Sequence, residues 1–342
     1  MPLVKFIVRR LIYSIFVLLG LSIVIFIIAR IMPGDPARMA VGMQAPQWVV
    51  DRLREQMHLD RPLVVQYFYW LRDATHGDFG LSLVTQRPVI SDIKEFFPAS
   101  LELVLCSGLL AAFGGIGLGV ISARHKDTWI DSVVRVFSYM GVVTPSFVFA
   151  IIFVLLFGWV LHWFPVIGRL SEQIQAPRVI TGLMTIDSLL AGRLDVFVDA
   201  LRHLVLPALT LAMGSIAQES RITRSSMADN LGKDYIASAR ALGVSERAVM
   251  GRLLLKPSLI PTVSILGLDI ASTFSIAFLV ELIFNWPGLS RYGLSAMLHK
   301  DLNAISAVIL VLGAVFAFVN ILVDLIVARL DPRIQLNATR SE

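Results

Sequence analysis

Long runs of apolar residues dominate the pattern of this chain. Six of them reach the length of about 20 residues that a helix needs to cross a bilayer. They cover residues 11–29, 100–123, 136–161, 204–222, 257–284 and 302–328. The fourth run is the least apolar, because Glu219 and Arg221 lie near its end. The pattern predicts an all-α polytopic membrane protein with six transmembrane helices.

Composition excludes a soluble or a disordered chain. The 342 residues are 56% apolar and 16% charged, with a mean hydropathy of +0.75, whereas soluble domains are typically about 45–50% apolar and about 25% charged. The net charge is +5, but the basic residues flank the apolar runs, where they set membrane orientation, so no nucleic-acid partner is expected. The single cysteine, Cys106, allows neither an intramolecular disulfide nor a cysteine-based metal site.

The distribution of Lys and Arg orients the predicted spans. The positive-inside rule puts the N-terminus in the cytoplasm, and an even number of spans returns the C-terminus there. The first apolar run is too long for a signal peptide and is followed by no small-x-small cleavage site, which predicts an uncleaved first span. The chain then divides into an N-terminus and first span at 1–31, an extracytoplasmic segment at 32–99, a five-span core at 100–335 and a cytoplasmic tail at 336–342. The core includes an outside loop at 163–203 and a cytoplasmic loop at 224–256.

The cytoplasmic loop holds the most informative polar pattern. The residues from Asp234 to Gly243 predict a helix of about two turns, capped by Asp234 and stopped by Gly243 in a left-handed conformation. Ser245 is predicted to cap a second helix that runs to Lys256 and is ended or bent by Pro257. A short helix of this kind between two spans suits docking into a groove on a partner protein, because its side chains are small. These are Ala237, Ala239 and Ala241.

This loop resembles the "EAA" loop in the membrane subunits of ATP-binding-cassette (ABC) importers. The matching pattern is Ala237-Ser238-Ala239-x-x-x-Gly243, with Ala237 in the Glu position and Ser238 in the first Ala position. That departure looks like the variant of di- and oligopeptide permeases, in which Tyr-x-x-x-Ala-Arg-Ala-x-Gly is usual. In that family the loop forms the coupling helix that seats in the ATPase subunit. The resemblance implies six ATPase-coupling residues: Asp234, Ala237, Ser238, Ala239, Arg240 and Gly243.

Further segments are similar to the same subfamily, in order and along nearly the whole chain. They are Pro33-Gly34-Asp35-Pro36, Leu59-Asp60-Arg61-Pro62, Gly77-Asp78-Phe79-Gly80, residues 223–227, 284–289 and 320–324, and Asp331-Pro332-Arg333. By this resemblance the chain is identified as a B-type membrane subunit of the dipeptide/oligopeptide permease family, in a bacterial or archaeal inner membrane. The implied cargo is a di- or oligopeptide or a related small solute, such as glutathione, a nickel chelate, an opine or an oligosaccharide.

The resemblance also implies the rest of a transport complex. The expected partners are a homologous second permease that forms a heterodimer with this chain, two cytoplasmic ATP-binding subunits and an extracytoplasmic substrate-binding protein. No G-x-x-x-x-G-K-[ST] phosphate loop occurs, since Gly232-Lys233 lacks the upstream glycine and is followed by Asp234. The chain is therefore expected to be no enzyme and to bind no cofactor, with ATP and Mg on the partner ATPase subunits.

Polar residues inside the predicted spans are the candidates for a translocation path. Thr262, Asp269, Ser272 and Thr273 share one helical face of the fifth span, and Asp269 is the deepest acid. The resembled family more often has a neutral amide at the Asp269 position, so an acid there favours a cationic substrate group. The alternative for Asp269 is a buried pair with another subunit. The alternative for the whole chain is a stand-alone secondary transporter that uses Asp269 as its ion site, although no inverted repeat is evident.

Other polar and small residues in the spans carry structural expectations. Glu281 completes the translocation-path candidates, but a structural role is favoured for it. Asp324 is expected to pair with Arg329, and Glu102 to reach the outer membrane interface. Pro145 is expected to kink the third span. A ridge of small residues in the second span predicts close helix packing; it consists of Ser107, Ala111, Gly115 and Gly119.

Overall fold

The computed structural model describes residues 2–31, 37–38, 44–56 and 58–330. Across these residues the chain is helical, and its only β pairing is an isolated bridge between Leu81 and Pro88. The predicted all-α class is therefore confirmed. The segments Pro33-Gly34-Asp35-Pro36 and Asp331-Pro332-Arg333 and the predicted tail at 336–342 lie outside the described residues.

The helices follow one another along the chain, and the longest described connection between them covers residues 161–183. They are α1 (Pro2–Ile31), α2 (Gln47–Gln56), α3 (Leu63–Thr75), α4 (Val89–Arg124), α5 (Trp129–Val143), α6 (Ser146–Val160), α7 (Met184–Leu190), α8 (Leu194–Leu231), α9 (Asp234–Ala241), α10 (Glu246–Ile283), α11 (Leu289–Leu298) and α12 (Leu302–Leu330). Five of them are long and apolar enough to cross a membrane, namely α1, α4, α8, α10 and α12. Counting α5 and α6 together as one broken span raises the number to six.

The predicted third span is not a continuous helix, which corrects the expectation for residues 136–161. The axes of α5 and α6 meet at 108°. Pro145 sits at the break, and Thr144 before it is extended, with φ −81° and ψ 123°. Proline disfavours the helical conformation in the residue that precedes it, so α5 ends at Val143 and a new helix direction starts at Ser146. The predicted kink at Pro145 is thus confirmed, as a sharp break.

The ridge of small residues on α4 packs against α8. Ser107, Ala111, Gly115 and Gly119 are all buried. A Cβ atom at Gly119 would lie 2.6 Å from the Thr223 Cβ and 2.7 Å from the Ser220 carbonyl oxygen. The two helices therefore approach so closely that only glycine fits, as the sequence predicted.

The loop between α6 and α8 folds over the N-terminal half of α4 and buries Glu102. Arg169 donates to the Glu102 carboxylate over 2.6 Å, and the Thr185 backbone N–H donates over 2.7 Å. Asp187 holds the same loop together. Although burial raises the pKa of Asp187, donors in Thr181 and its neighbours outweigh this and keep the pKa of that carboxyl below its usual range.

Asp324 pairs with Arg10 of α1 and not with Arg329, contrary to expectation. The Arg10 Nε lies 3.0 Å from an Asp324 carboxylate oxygen. Residues five positions apart on a helix point about 140° apart, so Asp324 and Arg329 face different neighbours. The pair joins the N-terminal part of α1 to the C-terminal part of α12.

Candidate functional site

The short helix α9 is fixed to the ends of three long helices. Ile236 is fully buried and Ala239 is nearly so. Both belong to an apolar cluster that also contains Ala123 of α4, Met227 of α8 and Leu254 of α10. The buried side of α9 therefore packs directly on the long apolar helices.

The opposite side of α9 faces away from the protein and is apolar or small. Leu242, directly after the helix, is 83% exposed, and Tyr235 is 42% exposed. We call this surface the docking face; its residues are Tyr235, Ala237, Ser238, Ala241 and Leu242, all of them exposed. Large exposed apolar side chains beside small ones are a surface suited to a partner's groove.

The turn after α9 has the predicted left-handed glycine. Gly243 adopts φ +76°, and its N–H donates to the Arg240 carbonyl oxygen over 3.0 Å. The next N–H, of Val244, donates to the Ala239 carbonyl oxygen over 3.1 Å. Arg240 closes the turn from outside, because its Nε donates to the Glu246 carboxylate over 2.8 Å. This hydrogen bond raises the pKa of the exposed Arg240 guanidinium.

The predicted helix caps in this loop are wrong in detail. Lys233 occupies the N-cap position of α9, and Asp234 lies in the first turn, where its charge still favours the helix N-terminus. Ser245 does occupy the cap position of the next helix, but its side chain makes no capping hydrogen bond. The helix α10 does not end at Pro257. Its π-helical stretch over Val249–Leu255 gives way to a regular α-helical segment that starts at Lys256, and Pro257 lies in the first turn of that segment, where a missing N–H is tolerated.

The polar residues predicted for one face of α10 have two different environments: some contact α8, and others face the open surface. The Thr262 and Thr223 hydroxyls are joined by a hydrogen bond of 3.0 Å, and Gln218 of α8 donates to the Asp269 carboxylate over 3.3 Å. Thr273 is buried and donates to the Asp269 backbone carbonyl oxygen, whereas Ser272 is exposed. Asp269 is half-buried at the boundary between the two environments.

Glu219 is a residue whose environment the sequence did not predict. It follows Gln218 on α8 and is fully buried, and neither carboxylate oxygen has a hydrogen-bond partner within the described residues. In the sequence Glu219 only weakened the fourth apolar run. The sequence signal for Glu219 was its charge, because a charged residue inside an apolar run usually has a function.

Glu281 holds together the loop that follows α10. It is fully buried and accepts hydrogen bonds from the Ser100 hydroxyl and from the Arg291 backbone N–H, the latter over 2.7 Å. A Cβ atom at Gly288 would overlap the Glu281 carboxylate. Trp286 in the same loop donates from Nε1 to the Ala99 carbonyl oxygen over 2.9 Å. These contacts favour the structural interpretation of Glu281 over a place on the translocation path.

The fold and the docking face together define a class of protein. The long apolar helices are those of a membrane protein, and a short exposed helix is fixed to their ends. Residues 115–336 match the family described as "Binding-protein-dependent transport system inner membrane component". Residues 3–104 match the family described as "Binding-prot-dependent transport system membrane comp, N-term". The chain belongs to this family, and it is a multi-pass permease subunit of an ABC importer.

Known relatives are similar to the chain over almost its whole length. A probable D,D-dipeptide transport system permease protein, DdpB of Escherichia coli (strain K12), is 38% identical over 93% of this chain and 94% of its own. The dipeptide transport system permease protein DppB of Alkalihalophilus pseudofirmus is 34% identical over 96% and 98%. The glutathione transport system permease protein GsiC of Escherichia coli (strain K12) is 31% identical over 97% and 99%. In this family the ATPase activity belongs to separate subunits, so the chain is no enzyme, and the secondary-transporter alternative is set aside.

Proposed function

We propose that this chain forms half of the translocation pathway of a peptide importer and is driven by ATPase subunits through residues 234–256. The observation that carries the proposal is the docking face, with Leu242 exposed at its end. Its helix is fixed on the other side to α4, α8 and α10. A partner that moves α9 therefore moves the long helices on which the proposed translocation-path residues lie.

The proposed cargo is a dipeptide or another short peptide. The relatives that match nearly the whole chain are described as D,D-dipeptide, dipeptide and glutathione permeases. These three cargoes share a small size, peptide bonds and charged ends. Their common chemistry supports a short peptide more than an oligosaccharide or a nickel chelate.

The proposed complex contains a homologous second permease, two ATP-binding subunits that hold ATP and Mg, and an extracytoplasmic substrate-binding protein. In this proposal the chain has six spans, with α5 and α6 as a broken third span, and both termini lie on the cytoplasmic side with α9. The Arg10–Asp324 pair supports this arrangement, because it brings the start of α1 beside the end of α12. In this orientation Lys and Arg are concentrated on the α9 side, as the positive-inside rule requires.

Replacing Gly243 with valine tests the coupling role of the loop. Nothing lies within 4 Å of a Cβ atom there, but φ is +76°, so the cost is conformational and amounts to about 1–2 kcal/mol or more for a β-branched residue. We expect Gly243→Val to remain in the membrane but to lower peptide uptake per ATP hydrolysed several-fold. Gly243→Asn is the control, since asparagine tolerates this conformation. Equal uptake by both variants in proteoliposomes would contradict the coupling role.

Replacing Asp269 with asparagine tests the translocation path. The half-buried carboxylate next to exposed Ser272 is proposed to favour cationic peptides. Asp269→Asn is expected to slow the uptake of a lysine-containing dipeptide by about tenfold, which corresponds to ~1.4 kcal/mol, and to change that of dialanine much less. The matched control is Asp324→Asn, which removes an acid paired with Arg10 away from this face. A similar slowing of both dipeptides would count against charge selection by Asp269.

A further inference from the structure

A basic cavity lies between α5 and α8, near the end of α4 that carries Ser122. Its volume is about 130 Å³. The lining residues that matter for its chemistry are Arg135, Ser138, Tyr139, Ser220, Arg221 and Arg224. The cavity opens at the same end of the helices as α9, and no part of the proposed transport mechanism uses it.

The charges around the cavity are predominantly positive. Asp131 accepts two hydrogen bonds from Arg224, of 2.6 and 2.7 Å, and so neutralises that guanidinium. The Arg135 Nε lies 3.8 Å from Asp131, which is too far for a hydrogen bond. Arg221 is exposed and forms no ion pair with any residue that the structure describes. The exposed Asp127 also acts electrostatically on Arg224, so two carboxylates stand near the three guanidinium groups of the lining. One positive charge is left in excess for an anion.

Two hydrogen-bond donors in the cavity lining have no acceptor within the described part of the chain. The Ser220 hydroxyl oxygen is buried without a partner, and the residue is only 1% exposed. The Arg135 Nε is likewise buried without a hydrogen-bond partner. Because buried polar groups are nearly always hydrogen-bonded, these donors point to an acceptor that the chain does not supply. A phosphate group offers several acceptor oxygens and a charge of the right sign.

The surface next to the cavity is suited to acyl chains. Along α5, Val133, Val136 and Met140 are all more than half exposed. Trp129 and Tyr139, also exposed, are residues typical of the membrane–water interface. A free phosphate ion needs no such apolar surface, whereas a phospholipid does.

We propose that this cavity binds the phosphate group of an anionic phospholipid from the leaflet on the α9 side. Arg221 and Arg135 supply the charge, Ser220 donates a hydrogen bond, and the acyl chains lie along the apolar face of α5. The lipid joins α5 to α8, the helix that leads into α9. Basic cavities between membrane helices on the cytoplasmic side bind anionic lipid headgroups in the same way.

The test measures which lipid the purified importer keeps. The complete complex is reconstituted in nanodiscs of equal parts phosphatidylglycerol and phosphatidylcholine, released into detergent, and its retained lipids are counted by native mass spectrometry. We expect retention of phosphatidylglycerol over phosphatidylcholine. Arg221→Gln is expected to lower that preference by about fivefold, the contribution of one basic residue near an anionic membrane surface.

Two further variants separate a specific site from general attraction. Arg329→Gln removes an exposed arginine outside the cavity lining and outside the coupling loop, so it changes net charge equally and should change the preference less than about twofold. Ser220→Ala alters no charge and is expected to lower the preference by about threefold or more, because it removes a hydrogen bond to a charged group. The Ser220→Ala variant also keeps the test valid if the Arg221→Gln subunit does not assemble into the complex.

Two results would overturn the proposal. The first is an equal effect of Arg221→Gln and Arg329→Gln, with no effect of Ser220→Ala, since the attraction would then be non-specific. The second is displacement of phosphatidylglycerol from the wild-type complex by millimolar inorganic phosphate alone, which would identify a site for a free anion. Retention that depends on Arg221 and Ser220 and resists inorganic phosphate supports the lipid site.

Discussion

Replacement of Leu242 with aspartate is expected to lower peptide uptake by at least about thirtyfold, the loss of roughly 2 kcal/mol that defines a binding hot spot. Leu242 is 83% exposed, so the change removes almost no contact within the chain and should leave the fold intact. In the assembled importer the side chain would enter an apolar groove, where an unpaired carboxylate is strongly disfavoured. The measurements are peptide uptake in proteoliposomes and co-purification of the ATPase subunits.

Leu190→Asp is the matched control for this experiment. Leu190 is 60% exposed and lies on α7, in the loop that covers Glu102 at the opposite end of α4 from α9. The same chemical change there should leave co-purification of the ATPase subunits unaltered. If Leu242→Asp also left the ATPase subunits bound and uptake normal, the docking face would not be the coupling surface.

The features that the sequence predicted well depend on local pattern. The apolar runs located five long helices, because length and hydropathy alone decide whether a segment is long and apolar enough to cross a membrane. The left-handed turn at Gly243 is also a local feature, since glycine adopts the left-handed conformation that ends a helix without a steric cost. The Gly115 and Gly119 ridge was likewise readable from its spacing of four residues.

The features that the sequence predicted poorly depend on which distant segment supplies a partner. Glu102 meets Arg169 across the loop between α6 and α8, and Asp324 meets Arg10 from the other end of the chain. The sequence shows each acid, but only the packing of the helices selects its partner. Glu219 shows the same limit, because its isolation from any donor among the described residues follows from how α4 and α8 close around it.

The network around Glu281 is expected to make a large contribution to folding stability. Glu281→Ala leaves the Arg291 N–H and the Ser100 hydroxyl without their buried acceptor. Each unsatisfied buried group costs about 1–3 kcal/mol, so the free energy of unfolding should fall by about 2–6 kcal/mol. The Ser100 hydroxyl also accepts from the Leu289 N–H over 2.7 Å, so the loss should loosen the start of α11. Thermal unfolding of the purified chain in detergent measures the effect.

Gly288 provides the internal check, because a Cβ atom there would overlap the Glu281 carboxylate. Gly288→Ala should destabilise the wild-type chain by about 1–3 kcal/mol through overpacking. The matched control is Gly232→Ala, where nothing lies within 4 Å of the new Cβ and φ is −80°, so stability should stay the same or rise slightly. In the Glu281→Ala background the clash disappears, so the two substitutions together should cost less than the sum of their separate effects. If the two losses of stability were strictly additive, the requirement for glycine at position 288 would have a cause other than the Glu281 carboxylate. Glu281 would then not be the centre of this network.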